Sequence, residues 1–150
     1  MNNLEERVQK LNELITKNYD AEAGYKKAAE IVDDTQLKQF FTNQAKARYD
    51  FGHSLKDEIK MVGGEVKKGT SFTGDAHRAW MSIKDTFSAN DSKAMLEEVI
   101  RGEEAAVEEY KEILSNATLA PTTQNLLQNQ VTSVQSALAN ARSLDAWEAK

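Results

Sequence analysis

The most constraining feature of this sequence is a spacing of four and three residues between apolar positions, sustained through several long segments. The spacing follows the 3.6-residue turn of an α-helix and places the apolar side chains on one face. One proline and seven glycines among 150 residues leave few positions that would interrupt such helices. The sequence therefore predicts an all-α fold. In the first segment the apolar positions are Leu4, Val8, Leu11, Ile15, Tyr25, Ala29 and Val32.

The periodic segments predict four long helices and one short helix. A short turn separates the first two long helices, which must therefore be antiparallel neighbours. Pro121, at the favoured first-turn position, starts the last helix. About 30 residues, including the short helix and a loop at 63–74, join the two hairpins, which is the one-crossover four-helix topology of ferritin-like folds. The predicted helices span about 4–33, 35–62, 75–87, 91–115 and 121–147.

Length, charge and composition limit the domain count and the partners. A chain of 150 residues is expected to form one domain, 1–150. The net charge of -5 disfavours nucleic acid, because no basic face is available to displace phosphate counterions. Cysteine is absent, which excludes disulfides and thiolate chemistry. No stretch approaches the roughly 18 apolar residues of a membrane span, so we expect a cytoplasmic protein.

Two carboxylates fall on the predicted buried faces. Continuing the spacing of the first helix through its gap places Asn18 and Glu22 inside, and Glu103 lies on the stripe of the third long helix. Aligning two weakly similar segments, EAGYKKAAEIV and EAAVEEYKEIL, selects Glu104 instead. We prefer Glu103, because the apolar stripe indicates which residues are buried. In a ferritin-like di-metal site two helices each supply one Glu. Glu22 and Glu103 could therefore bind iron, manganese or zinc.

The other two helices lack the Glu-x-x-His pairs that such a site requires. Asp50 and His53 have suitable spacing, but they lie more than about 100° from the apolar stripe of their helix. Gln44 and Gln130 take the inward positions on these helices. Glutamine carries no charge and is a poor iron ligand. The expected site thus has two carboxylates and no inward imidazole.

Arg48 offers a metal-free alternative. It lies one turn from Gln44, and its guanidinium can bind a carboxylate on each edge. Buried carboxylates need such compensation, because otherwise one pKa would rise strongly. Three interpretations stay open: an ion-pair cluster that fixes helix register, a metal site, or outward-facing carboxylates. The cluster would comprise Glu22, Gln44, Arg48, Glu103 and Gln130.

The remaining candidates are aromatic or lie in the crossover. Tyr25 and Tyr110 could be redox tyrosines, although aromatic residues at helical spacing usually belong to the core. His77, Trp80 and Met81 are expected to cover the bundle or a dimer surface. Phosphate-binding loops and Ser/His/Asp arrangements are absent, so chemistry by a protein nucleophile is not expected.

The segments AEAGYKKAAE, GDAHRAWMSIK and RGEEAAVEEYKEIL together resemble a bacterial branch of the ferritin-like superfamily, whose members are mostly stress-associated proteins of unknown function. The resemblance covers about 3–147, and HRAWM is its most specific part. It implies a rubrerythrin-like, dimeric bundle without an established activity. Iron-binding relatives imply oxidase or peroxide chemistry, with ligands carried over only at Glu22 and Glu103. The expected function is a non-enzymatic structural role with a degenerate metal site; the alternative is peroxide-scavenging or oxidase activity.

Overall fold

The computed structural model describes residues 3–67, 75–88, 91–116 and 118–148. Within these ranges the chain forms five α-helices and no strand, which confirms the all-α prediction. Each helix begins and ends within two residues of its predicted bounds. Residues 68–74 of the expected long loop lie outside the described residues. The helices are α1 (Asn3–Ile31), α2 (Thr35–Met61), α3 (Asp75–Thr86), α4 (Ser92–Asn116) and α5 (Pro121–Glu148).

Local signals explain where α2 begins and ends. The Asp34 side chain accepts a hydrogen bond from the backbone N–H of Leu37 at 3.0 Å, which caps the N-terminus of α2. After the helix, Gly63 adopts φ +85° and donates its N–H to the carbonyl of Lys60 at 3.1 Å. This left-handed conformation favours glycine, because other side chains would be strained there.

Two antiparallel hairpins form the body of the fold. In the first, the late α1 residue Tyr25 packs on the early α2 residue Phe41, with ring centroids 6.1 Å apart. In the second, Lys93 Nζ near the start of α4 lies 3.2 Å from Asp145 Oδ1 near the end of α5. The crossover helix α3 packs against both α1 and α4.

Two close approaches seat α3 on the hairpins. Trp80 is only 1% exposed, and its ring lies against Gly24 of α1 and Gly102 of α4. A Cβ atom at Gly24 would lie 2.8 Å from this ring, and one at Gly102 would lie 2.7 Å from it. His77 Nδ1 also lies 2.8 Å from Asp20 Oδ2 of α1. Trp80 therefore belongs to the core, and the two glycines make room for it.

The apolar core is divided into two clusters along the helix axes. One cluster surrounds Tyr25, Phe41 and Trp80, and the other contains Leu11, Leu55 and further residues of α4 and α5. On α1, α2 and α4 a buried polar residue separates the two clusters. These residues are Asn18, Arg48 and Glu103, respectively.

No helix in the described part of the chain has the length and apolar content needed to cross a membrane.

Candidate functional site

A buried ion pair occupies the middle of the fold. Arg48 of α2 and Glu103 of α4 are 2% and 0% exposed, and Arg48 Nη2 donates to Glu103 Oε1. The Tyr25 hydroxyl donates to the other carboxylate oxygen, Oε2, at 2.9 Å. Arg48 Nη1 donates to Asn18 Oδ1 at 3.1 Å. Both oxygens of Glu103 therefore have hydrogen-bond donors, and the buried guanidinium has a charged and a neutral acceptor.

Further hydrogen bonds extend this pair to α5. Asn18 Nδ2 donates to the Tyr110 hydroxyl at 3.0 Å, and this hydroxyl donates to Gln130 Oε1 at 2.7 Å. Gln130 Nε2 donates a hydrogen bond to the backbone carbonyl of Phe51 in α2, at 3.3 Å. The buried network thus comprises six side chains from all four long helices: Asn18, Tyr25, Arg48, Glu103, Tyr110 and Gln130.

Helix periodicity explains how α1 and α4 each contribute two side chains. Asn18 and Tyr25 are seven residues apart on α1, and Glu103 and Tyr110 have the same separation on α4. Seven residues are close to two turns, so each pair projects from one face of its helix. In both pairs the polar group and the tyrosine hydroxyl reach the space between the two apolar clusters.

Both members of the ion pair have raised pKa values, but for different reasons. Burial raises the pKa of the Glu103 carboxyl above its ordinary value, although the Arg48 charge and the Tyr25 hydrogen bond oppose that rise. For Arg48, burial lowers the pKa, but the attraction and hydrogen bond of the Glu103 carboxylate oppose this effect, and the pKa is raised overall. The guanidinium therefore stays charged.

The two tyrosines are held in their neutral, donating form. Burial raises the pKa of Tyr25 well above its ordinary value, and the nearby charge of Glu103 raises it further. Burial also raises the pKa of Tyr110 to about 12. Both hydroxyls can therefore donate hydrogen bonds throughout the physiological pH range.

The Tyr110 shift predicts a loss of stability in alkali. A raised folded-state pKa means that the stabilisation is complete below the unfolded value of 10.0 and is lost as pH rises through about 12. A shift of about two units corresponds to about 3 kcal/mol. Urea unfolding between about pH 9 and pH 12 should show this decline, and Tyr110→Phe should make it shallower. Equal pH slopes for wild type and variant would contradict the prediction.

Glu22 does not join the network, which corrects the expected cluster. Its carboxylate lies 3.1 Å from Lys26 Nζ, in a groove between α1 and α2. The cause is the orientation of α1 about its axis, which buries Asn18, Ala21, Gly24 and Tyr25 in this region. The inward place assigned to Glu22 is taken by Ala21, a residue too small to stand out in an apolar pattern.

Gln44 is also outside the network. It is half-buried, and the residue of α2 that forms the network hydrogen bonds to Asn18 and Glu103 is Arg48. Asp50 is exposed and lies 3.1 Å from Lys46 Nζ. His53 is exposed, and its ring centroid lies 4.4 Å from that of Tyr49. Asp50 and His53 thus point away from the buried pair.

On α4 the apolar stripe selects the correct glutamate. Glu103 is fully buried, whereas its neighbour Glu104 is exposed and accepts a hydrogen bond from Arg142 of α5 at 2.9 Å. The alignment of the repeated segments, which favoured Glu104, is off by one residue at this position.

Sequence reasoning missed the polar roles of several buried side chains. Asn18 fell on the apolar face of α1, which was the available signal for it, but the tyrosine hydroxyls leave no mark in an apolar pattern. Glu58 was also missed: it is 6% exposed and accepts hydrogen bonds from the hydroxyls of Thr122 and Thr123 at 2.9 and 2.7 Å. These bonds tie α2 to the start of α5.

The side chains of the network do not fit a di-metal centre. No group of three or more His, Cys, Asp or Glu residues is placed to hold a metal ion in the parts of the chain that the structure describes. Glu103 supplies the one carboxylate of the network, and both of its oxygens accept hydrogen bonds. A divalent cation beside it would also be repelled by the Arg48 guanidinium.

Comparison with known proteins places the chain in a family. Residues 6–116 match the family described as a domain of unknown function, DUF2383. No curated protein matches the chain. The matched range contains five of the six network side chains, and Gln130 of α5 lies beyond it. Because the match covers well over half of its length, the chain belongs to the DUF2383 family.

Proposed function

We propose that this chain is a ferritin-like antiparallel four-helix bundle with a structural, non-enzymatic role, in which an internal ion pair stands where relatives of this fold hold two metal ions. In a di-metal bundle, inward carboxylates and imidazoles converge from all four helices. Here a polar network also links all four long helices, but its charged members are one glutamate and one arginine.

The observation that carries this proposal is the engagement of Glu103. Arg48 and Tyr25 donate to its two oxygens in a fully buried setting. A metal would have to displace both donors and leave a guanidinium buried without its partner, which is strongly unfavourable. The network instead has the properties of a specificity element that fixes helix register.

The rival function is metal binding by Glu22 and Glu103, with oxidase or peroxide-scavenging activity. It requires Glu22 to leave Lys26 and turn towards the centre of the fold. The resemblance to stress-associated ferritin-like proteins adds three expectations to the structural role: a link to stress, action as a homodimer, and a cytoplasmic location. These three expectations rest on that resemblance.

Elemental analysis of protein purified without chelators, followed by iron titration, tests the proposal. We expect no stoichiometric iron, manganese or zinc, because the carboxylate needed for binding is already paired. We also expect the double variant Glu22→Gln, Glu103→Gln to change urea stability without changing metal content. Stoichiometric metal that the double variant loses would support the rival function and overturn ours.

A further inference from the structure

A small internal cavity lies beside Arg48. Its volume is about 10 Å³, and its polar lining comes from Lys17, Asn18, Arg48, Glu109 and Tyr110. A volume of roughly this size accommodates one water molecule, provided that two to four polar groups surround it. The cavity meets both conditions.

Arg48 has hydrogen-bonding capacity to spare at this cavity. A guanidinium has five N–H groups, and the bonds of Arg48 in the described part of the chain go to Asn18 and Glu103. Buried donors are almost always satisfied by protein or by ordered water. A water molecule in the cavity would accept one of the remaining donors.

A second, larger space lies next to this cavity, towards the protein surface. This cleft between α1 and α4 has a volume of about 90 Å³ and is lined by Glu6, Lys10, Glu13 and Glu112. Lys17 and Glu109 line both the cleft and the internal cavity. These two side chains form an ion pair and are 24% and 23% exposed. The ion pair therefore separates the cavity from the surface cleft.

We propose that the cavity is a binding site for one water molecule held by Arg48, and that the Lys17–Glu109 ion pair is the gate through which this site communicates with the α1–α4 cleft. The gate closes when Lys17 and Glu109 attract each other. It opens when that attraction is removed, and the buried Arg48 side of the network then becomes accessible to solvent. This inference concerns access to the network and does not depend on the proposed function.

The charges around Glu109 make the gate sensitive to pH. Burial raises the pKa of the Glu109 carboxyl, Lys17 lowers it, Glu13 raises it and Arg48 lowers it, with an increase overall. Lys10 and Glu6 of α1 and Glu112 of α4 line the same cleft, and Tyr110 lines the cavity. From α3 the cavity receives Trp80. As pH falls, protonation of Glu109 removes its attraction for Lys17, so the gate should open in acid.

Acrylamide quenching of Trp80 fluorescence tests the gate. Trp80 is buried and lines the cavity, and Trp147→Phe leaves it as the only tryptophan. In that background, we expect weak quenching at about pH 7 and several-fold stronger quenching after Glu109→Gln, which removes the charge on one side of the gate. Lowering the pH until Glu109 is protonated should increase quenching in the background protein and leave the Glu109→Gln protein unchanged.

Glu112→Gln is the matched control, because it removes a charge from the same cleft but not from the cavity wall. Equal quenching in Glu109→Gln and Glu112→Gln would overturn the gate. If Glu109→Gln does not fold, the pH dependence of the background protein serves in its place, and quenching that does not change with pH overturns the gate.

A crystal structure that resolves ordered water tests the water site: we expect one water within about 3.2 Å of an Arg48 nitrogen. An empty cavity in that structure would overturn this part of the proposal.

Discussion

Arg48→Met should lower the free energy of unfolding by about 3–5 kcal/mol, because it leaves the Glu103 carboxylate buried without its cation. Methionine has a flexible apolar side chain that can fill irregular space, so the loss reports mainly the missing charge rather than a cavity. The Tyr25 hydroxyl, at 2.9 Å, would remain as a donor to the carboxylate. Urea unfolding at neutral pH measures the change.

Arg142→Met is the matched control for this prediction. Arg142 pairs with Glu104, the neighbour of Glu103, but both side chains are more than half exposed. Exposed pairs contribute at most about 1 kcal/mol, so the loss should be small. Equal losses for Arg48→Met and Arg142→Met would contradict a stabilising role for the buried pair.

The double variant Arg48→Met, Glu103→Gln separates charge from packing. Without the glutamate charge there is no uncompensated ion, and replacing both partners of a buried pair is often close to neutral. The double variant should therefore recover most of the stability that Arg48→Met loses. No recovery would show that the loss comes from packing around residue 48.

Trp80→Ala should lower the free energy of unfolding by about 3–5 kcal/mol, the usual range for removing a large aromatic side chain from a core. Trp80 is 1% exposed and contacts the Tyr25 ring at a centroid distance of 4.9 Å. Its loss would leave a cavity between α1 and α4, beside the buried network. Urea unfolding measures the change.

Gly102→Ala supplies the control for Trp80→Ala. In the wild-type protein the added methyl would lie 2.7 Å from the Trp80 ring, and such overpacking typically costs about 1–3 kcal/mol. In the Trp80→Ala background the obstacle is gone, and alanine should stabilise α4 by up to about 1 kcal/mol relative to glycine. The same loss in both backgrounds would show that Trp80 is not the neighbour that requires glycine.

The position of the network has a structural consequence. It lies between two apolar clusters, where apolar packing alone would tolerate small shifts of one helix along another. Hydrogen bonds between Arg48, Glu103 and Asn18 are satisfied in one alignment of α1, α2 and α4. Any slip would leave buried polar groups unpaired, at about 1–3 kcal/mol each or more for the charges. The network therefore favours one register.

The sequence by itself determined the helices and part of this site. Apolar spacing, Asp34 and Pro121 set the helix bounds, because periodicity and capping are local properties of the chain. The inward positions predicted from the sequence also included Arg48, Glu103 and Gln130, and all three are buried. A polar residue within an apolar stripe is visible in the sequence because it interrupts a pattern that burial requires.

The tertiary structure decided which buried groups meet. An apolar stripe is about 100° wide, so it does not distinguish Ala21 from Glu22. In the structure, α1 is oriented so that Ala21 is buried. The partners of Glu103 come from helices distant in sequence, and the Tyr25 hydroxyl reaches it from the end of a ring that reads as ordinary core. Hydrogen-bond pairing depends on the rotation and height of neighbouring helices, which local periodicity does not encode.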